Sequence, residues 1–117
     1  IEVWGSGKAR REFTYIEDLA NWIALNIELI GDFPIVMNTG FGLDYSIDEF
    51  YRAAMKVMGY EAELVHLIDK PEGMAAKLMD SSLAKQSFGW NPQTDLEVGM
   101  RKTLEWYTSN IPLERSH

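Results

Sequence analysis

The sequence predicts an α/β fold with some parallel strand pairing, and three observations carry that expectation. Three stretches place apolar residues at helical spacing and carry recognisable end signals. Between them lie apolar runs too short to be helices, and glycine-containing turns join the two kinds of segment. The 117 residues suit a single domain, and 46% hydrophobic with 25% charged residues is a globular balance that argues against disorder.

Taken in order, Ile1-Glu2-Val3-Trp4 alternates apolar and polar side chains from its first residue, so the chain is expected to be part of a longer protein. Residues 13–16 form a candidate short strand. The first helix is expected over 17–30: Ile16, Leu19, Ala20, Ile23, Ile27 and Ile30 share a face, acids fill the first turn, and Gly31-Asp32 stops it. Residues 35–38 follow a proline and enter Thr39-Gly40-Phe41-Gly42, which reads as a strand running into a turn. The second helix spans 47–58, with Ser46 and Glu49 as a capping box and Gly59 as its stop. A second strand is expected at 64–68 and a brief one at 78–79. A short helix at 82–87 closes at Phe88-Gly89. The third main helix covers 95–108 behind a second capping box, Thr94 and Glu97. No repeat or composition shift divides the chain, so residues 1–110 are expected as one unit and 111–117 as a disordered tail.

Composition removes several function classes. There is no cysteine, which excludes a disulfide framework, a cysteine zinc site, an iron–sulfur cluster and a thiol nucleophile. Two histidines, one of them the terminal His117, give no basis for a histidine metal site. A formal charge of −7 opposes nucleic-acid binding, which needs many cations against phosphates. No apolar run approaches the ~20 residues of a membrane span, and a cytoplasmic location is expected.

The positive charge is concentrated. Lys8, Arg10 and Arg11 follow Gly5-Ser6-Gly7, and Lys70 and Lys77 bracket a loop with Pro71 and Gly73, so five of eleven cations lie in two irregular segments. Glycine permits close backbone approach, and the arginine fork suits a phosphate or carboxylate in two-toothed fashion. An anion site, most simply for a diphosphate with Trp4 as an aromatic face, competes here with an ordinary solvated loop whose cations pair with surface acids. Other candidates read as structural. Gly5-Ser6-Gly7 lacks the third glycine and the helix of a dinucleotide fingerprint. Gly40 and Gly42 serve a turn, and Glu17 and Asp18 complement a helix dipole. His66 has no adjacent acid in the sequence, Trp22, Trp90 and Trp106 are expected to pack, and Ser6, Ser46, Ser81 and Ser82 have no visible base. No complete catalytic constellation is present.

The same two basic loops carry a family resemblance. Val3-Trp4-Gly5-Ser6-Gly7, Arg11-Glu12-Phe13 and Tyr15-Ile16-Glu17-Asp18-Leu19-Ala20 resemble the substrate-lobe opening of the extended short-chain dehydrogenase/reductases. Asn38-Thr39-Gly40 before Ser46-Ile47 is similar to that family's Asn-x-Gly turn. Lys70-Pro71-Glu72-Gly73, Lys77-Leu78-Met79-Asp80, Leu83-Ala84, Phe88-Gly89-Trp90 and Pro92 narrow the resemblance to its GDP-L-fucose synthase group, and Leu96 through Thr103 with Trp106-Tyr107 fits the same family.

That resemblance implies a small C-terminal substrate-binding lobe of an NADP-dependent epimerase/reductase acting on GDP-4-keto-6-deoxymannose. Trp4, Arg11, Glu72 and Lys77 are then substrate-binding residues, with Arg11 on the diphosphate. It also implies that the Rossmann core, the NADP site and the Tyr-x-x-x-Lys catalytic pair lie in an N-terminal lobe outside this sequence, that this chain alone is inactive, and that the intact protein is a homodimer. One departure stands: the group carries Thr-Pro-Arg before the lysine matching Lys77, where this chain has Met74-Ala75-Ala76. A different nucleotide sugar therefore remains an alternative, as does a non-catalytic sugar-nucleotide-binding or interaction module.

Overall fold

A computed structural model describes residues 1–111; the tail expectation lies, beyond Ile111, outside the described residues. The order is β1 (Glu2–Trp4), β2 (Arg10–Glu12), α1 (Ile16–Leu25), a 3-10 helix (Ile27–Asp32), β3 (Asp44–Ser46), α2 (Ile47–Met58), β4 (Val65–Leu67), β5 (Ala76–Lys77), α3 (Ser82–Phe88) and α4 (Leu96–Asn110). Two small sheets result. β1 runs parallel to β4, with Glu2, Val3 and Trp4 opposite Val65, His66 and Leu67. β2 is central in the other, antiparallel to β3 and parallel to β5. The α/β expectation and its parallel pairing are both realised.

The buried centre is aromatic. Trp22, Ala84 and Trp90 pack together with Leu19, Phe33, Met37 and Phe88 around them. Trp22 meets Trp90 edge-on at 5.5 Å and stacks on Phe33 at 5.3 Å. Each indole keeps its polar end satisfied, Trp22 Nε1 donating to the Phe88 carbonyl and Trp90 Nε1 to that of Gly40, both at 2.7 Å. On the other side, α2 crosses α4, Phe13 stacks on Phe50 at 4.3 Å, and Lys56 Nζ bonds both Glu97 oxygens at 2.7 and 2.8 Å. An open apolar groove of about 370 Å³ lies along this crossing, walled by Phe13, Phe50, Met58, Met100 and Leu104. The molecule exposes 8640 Å², where an independent fold of 13.4 kDa would expose about 6,500 Å².

α2 matches its sequence signals at both ends. Ser46 accepts from the Glu49 amide, Glu49 accepts from the Ser46 amide, and Gly59 adopts φ 63° beyond the last turn. The short helix expected at 82–87 is α3, closed by Gly89, and the strand expected at 64–68 is β4, whereas other elements depart from expectation for identifiable reasons. The helix expected over 17–30 ends at Leu25, because the Asn26 side chain folds back onto the Trp22 carbonyl at 2.8 Å, and the chain tightens into a 3-10 segment. Residues 35–38 form no strand: Ile35 and Val36 are exposed, and no strand pairs with them among the described residues. The strand expected at 13–16 sits instead at Arg10–Glu12, a polar segment recruited by pairing on both sides, and that expected at 78–79 is Ala76–Lys77. At α4 the cap is Asp95, accepting from the Val98 amide at 2.9 Å, since Thr94 is drawn to Asp18. Trp106, expected to pack, is 60% exposed.

Candidate functional site

The site is built on β2. Successive residues of a strand point to opposite faces, so Arg10 and Arg11 are separated at once. Arg10 goes to the side of the acids: its Nε donates to Asp44 Oδ1 and its Nη2 to the Asp44 carbonyl, each at 2.8 Å, with Glu49 Oε2 at 3.5 Å from Nη1. The Asp44 hydrogen bond raises the guanidinium pKa further above its ordinary value. Arg10 is therefore a structural cation, and its place in the basic cluster read from the sequence is corrected.

Arg11 faces the other way. Its Nη1 donates to the carbonyls of Arg10 and Met74 at 2.7 and 2.8 Å, which fixes the guanidinium without neutralising it. Parallel pairing sets Lys77 directly opposite Arg11, on the same face of the sheet. Among the described residues no carboxylate lies within ion-pair distance of Lys8, Arg11, Lys70 or Lys77. Two cations far apart in sequence thus meet on one exposed edge.

Trp4 ends β1 and is 60% exposed, with Lys70 Nζ 5.9 Å from its ring centre. From there the Gly5-Ser6-Gly7 turn leads into β2. Gly5 and Gly7 have φ of 79° and 73°, and a side chain on Gly5 would strike Glu72 Cβ at 2.7 Å, so glycine is required there. Glu72 fills that space. Its Oε1 accepts from the Ser6 hydroxyl at 2.5 Å and the Ala9 amide at 3.3 Å. The Ser6 hydrogen bond holds the Glu72 carboxyl below its ordinary range. The next residue, Gly73, lies against Arg11, the position of its missing Cβ being 3.5 Å from Nη2. Glu72 thus holds the turn that follows Trp4, Gly73 lies beside Arg11, and Arg11 pairs with Lys77.

Sequence reasoning missed one pair. His66 Nε2 lies 2.7 Å from Asp48 Oδ1, so His66 does have an acid neighbour, brought by α2 across the Gly7 turn. No local signal exposes it, since the two residues are 18 apart in the chain. The serines have partners of other kinds: Ser81 Oγ accepts from the Gly40 amide at 2.6 Å, and Ser82 Oγ donates to Asp80 at 2.5 Å. Asp18, beyond its place in the first turn of α1, holds the Thr94 amide at 2.9 Å and hydroxyl at 2.8 Å.

The glycine turns do not fit a dinucleotide. The Gly5 amide donates to Leu67, Gly42 to Glu12 and Gly40 to Ser81, and the turn at Gly5–Gly7 opens a strand where a pyrophosphate cradle needs a helix N-terminus. Three histidine, aspartate or glutamate side chains suited to a metal ion are not gathered anywhere among the described residues. No helix among them is long and apolar enough to cross a membrane.

Comparison with known proteins follows the same lines. The chain is 43% identical over 107 residues to GDP-L-colitose synthase of Yersinia pseudotuberculosis, covering 92% of this chain and 34% of the relative. It is 38% identical to GDP-L-fucose synthase of Azorhizobium caulinodans, with the same coverage of 92% and 34%. Among solved structures, a GDP-mannoheptose C4 reductase from Campylobacter jejuni with NADP bound superposes with a TM-score of 0.74 at 33% identity, over 92% of this chain and 34% of that one. No family model matches. The chain spans about a third of the length of the curated relatives it matches.

Proposed function

This chain belongs to the extended short-chain dehydrogenase/reductase family, at the GDP-L-fucose and GDP-L-colitose synthases, and from that premise we propose that it forms the GDP-sugar-binding portion of an NADP-dependent nucleotide-sugar epimerase/reductase. The observation that carries the reading is the register of β2 on β5, which sets Arg11 opposite Lys77 on an edge without acidic partners. Arg11 holds diphosphate oxygens with the free part of its fork, Lys77 adds a second charge, and Trp4 offers its exposed face to the base or sugar. NADP supplies hydride chemistry and is held by a lobe outside this sequence, as are the proton-transfer groups. The donor set here fits an anion and no dinucleotide, so no step of the reaction is assigned to this chain beyond binding and orienting the sugar nucleotide. A homodimer of the intact protein belongs to the same reading.

Calorimetric titration of the intact protein and its Arg11→Ala variant with GDP-mannose, and separately with NADPH, tests this. The reading requires weaker GDP-mannose binding with NADPH binding unchanged; equal affinity for GDP-mannose overturns it. A second reading, in which the sugar nucleotide differs from that of GDP-L-fucose synthase, is favoured by Met74-Ala75-Ala76. Ala76 stands beside Arg10 on β5 and contributes no cation to the edge. A titration series with UDP- and GDP-sugars separates the two.

A further inference from the structure

We infer that Glu72 serves this site as a positioning residue: by clasping the Ser6–Ala9 turn it fixes where Trp4 and Arg11 stand, without itself contacting the sugar nucleotide. The inference rests on the proposed GDP-sugar reading for its binding consequences and on geometry alone for the clasp.

A carboxylate inside a loop built for an anion is at first sight misplaced. It shares its two loops with Lys8, Lys70, Lys77 and Arg11, yet among the described residues it pairs with none of them. Its partners are neutral donors on a single turn, the Ser6 hydroxyl and the Ala9 amide, both on Oε1. Hydrogen bonds from neutral donors satisfy the charge locally and leave the cations free for a ligand. The turn it holds is the only covalent link between β1, which carries Trp4, and β2, which carries Arg11. Other contacts grip the same turn from outside: Gly5 donates to Leu67, Asp48 to the Gly7 carbonyl and Ile47 to the Ala9 carbonyl. Glu72 is the side chain that grips it from the ligand-facing loop. The residue that follows, Gly73, lies beside Arg11 Nη2.

The experiment compares Ser6→Ala, Glu72→Ala, Glu72→Gln and the Ser6→Ala/Glu72→Ala double variant in the intact protein, with two readouts. Amide hydrogen exchange over residues 4–12 without ligand reads the clasp, and calorimetry with GDP-mannose reads its effect. Faster exchange confined to 4–12 is expected in Ser6→Ala and Glu72→Ala. Glu72→Gln, which keeps a neutral oxygen acceptor at the same reach, should restore part of the protection. GDP-mannose affinity should fall about tenfold in Glu72→Ala, the scale of one hydrogen bond to a charged group. The double variant should lie close to Glu72→Ala, because both changes break the Ser6–Glu72 bond and Ser6→Ala adds only the loss of the 3.2 Å bond from the Lys8 amide. Unchanged exchange in Glu72→Ala overturns the inference, as does a binding loss in Glu72→Ala with Ser6→Ala like wild type, which would make Glu72 a direct ligand. Altered exchange in a protein whose wild type does not bind GDP-mannose upholds the clasp and defeats the GDP-sugar reading instead.

Discussion

The Trp22–Trp90 corner and the Arg11–Lys77 edge divide the work of the molecule between them. The corner is closed and neutral: its indoles are 8% and 2% exposed and both N–H groups find carbonyls. The edge is open and cationic, held by backbone pairing and a carboxylate clasp with little apolar burial. One region is satisfied by the protein itself, while the other keeps its charge unsatisfied for something outside. Substitutions in the first should therefore move stability, and those in the second should move binding.

The largest effect is expected at the corner. Trp90→Ala removes a fully buried indole and should cost about 3–5 kcal/mol in denaturant unfolding of the intact protein. GDP-mannose affinity of the folded fraction should be unchanged; a lost affinity at full folding would merge the two regions. Next comes Arg11→Ala, which should weaken GDP-mannose binding about ten- to hundredfold, roughly 1.5–3 kcal/mol, and leave the unfolding midpoint nearly unmoved. Arg11→Lys should not recover the two-toothed contact. Arg10→Ala, one residue away on the opposite face, should leave the dissociation constant within about twofold. Ser46→Ala should cost about 1 kcal/mol of stability by removing the cap of α2, with no effect on binding.

The smallest effect concerns pH. The Glu72 carboxyl is held below its ordinary range by Ser6, so its contribution is fully present above the unfolded-state value of about 4.3 and is lost only as pH falls through the lower folded-state value. Exchange protection over residues 4–12 should thus persist at pH 5 and weaken under stronger acid. Loss of protection already at pH 6 would show that the clasp owes nothing to this carboxylate.

How legible a feature was depended on how local its cause is. Ser46, Glu49 and Gly59 act on their own helix ends, so α2 could be read to the residue. Asp95 took the place of Thr94 at α4 because Asp18, distant in sequence, claims that threonine. Residues 35–38 have strand composition, but a strand needs a neighbour, which composition does not supply. At the site, clustering of the cations was visible, and so was the special character of the two loops. Which arginine faces outward was not visible, since Asp44 and Lys77 come from other strands. Glu72 could be singled out by family resemblance, but its partners could not, and its partners decide what it does.

The two-residue period of β2 has a consequence for what lengths the turn before it can tolerate. Deleting one residue between Gly7 and Arg10 would move the strand by one position against β3 and β5. The guanidinium that reaches Asp44 would then swing to the open edge, and Arg11 would be delivered to the acids. Composition and net charge would hardly change, yet the outward-facing fork would come from the wrong backbone position, displaced along the strand from Lys77. The spacing of this turn is thus a coded quantity in its own right, and deletion of a single codon there should be as harmful to ligand capture as losing the arginine.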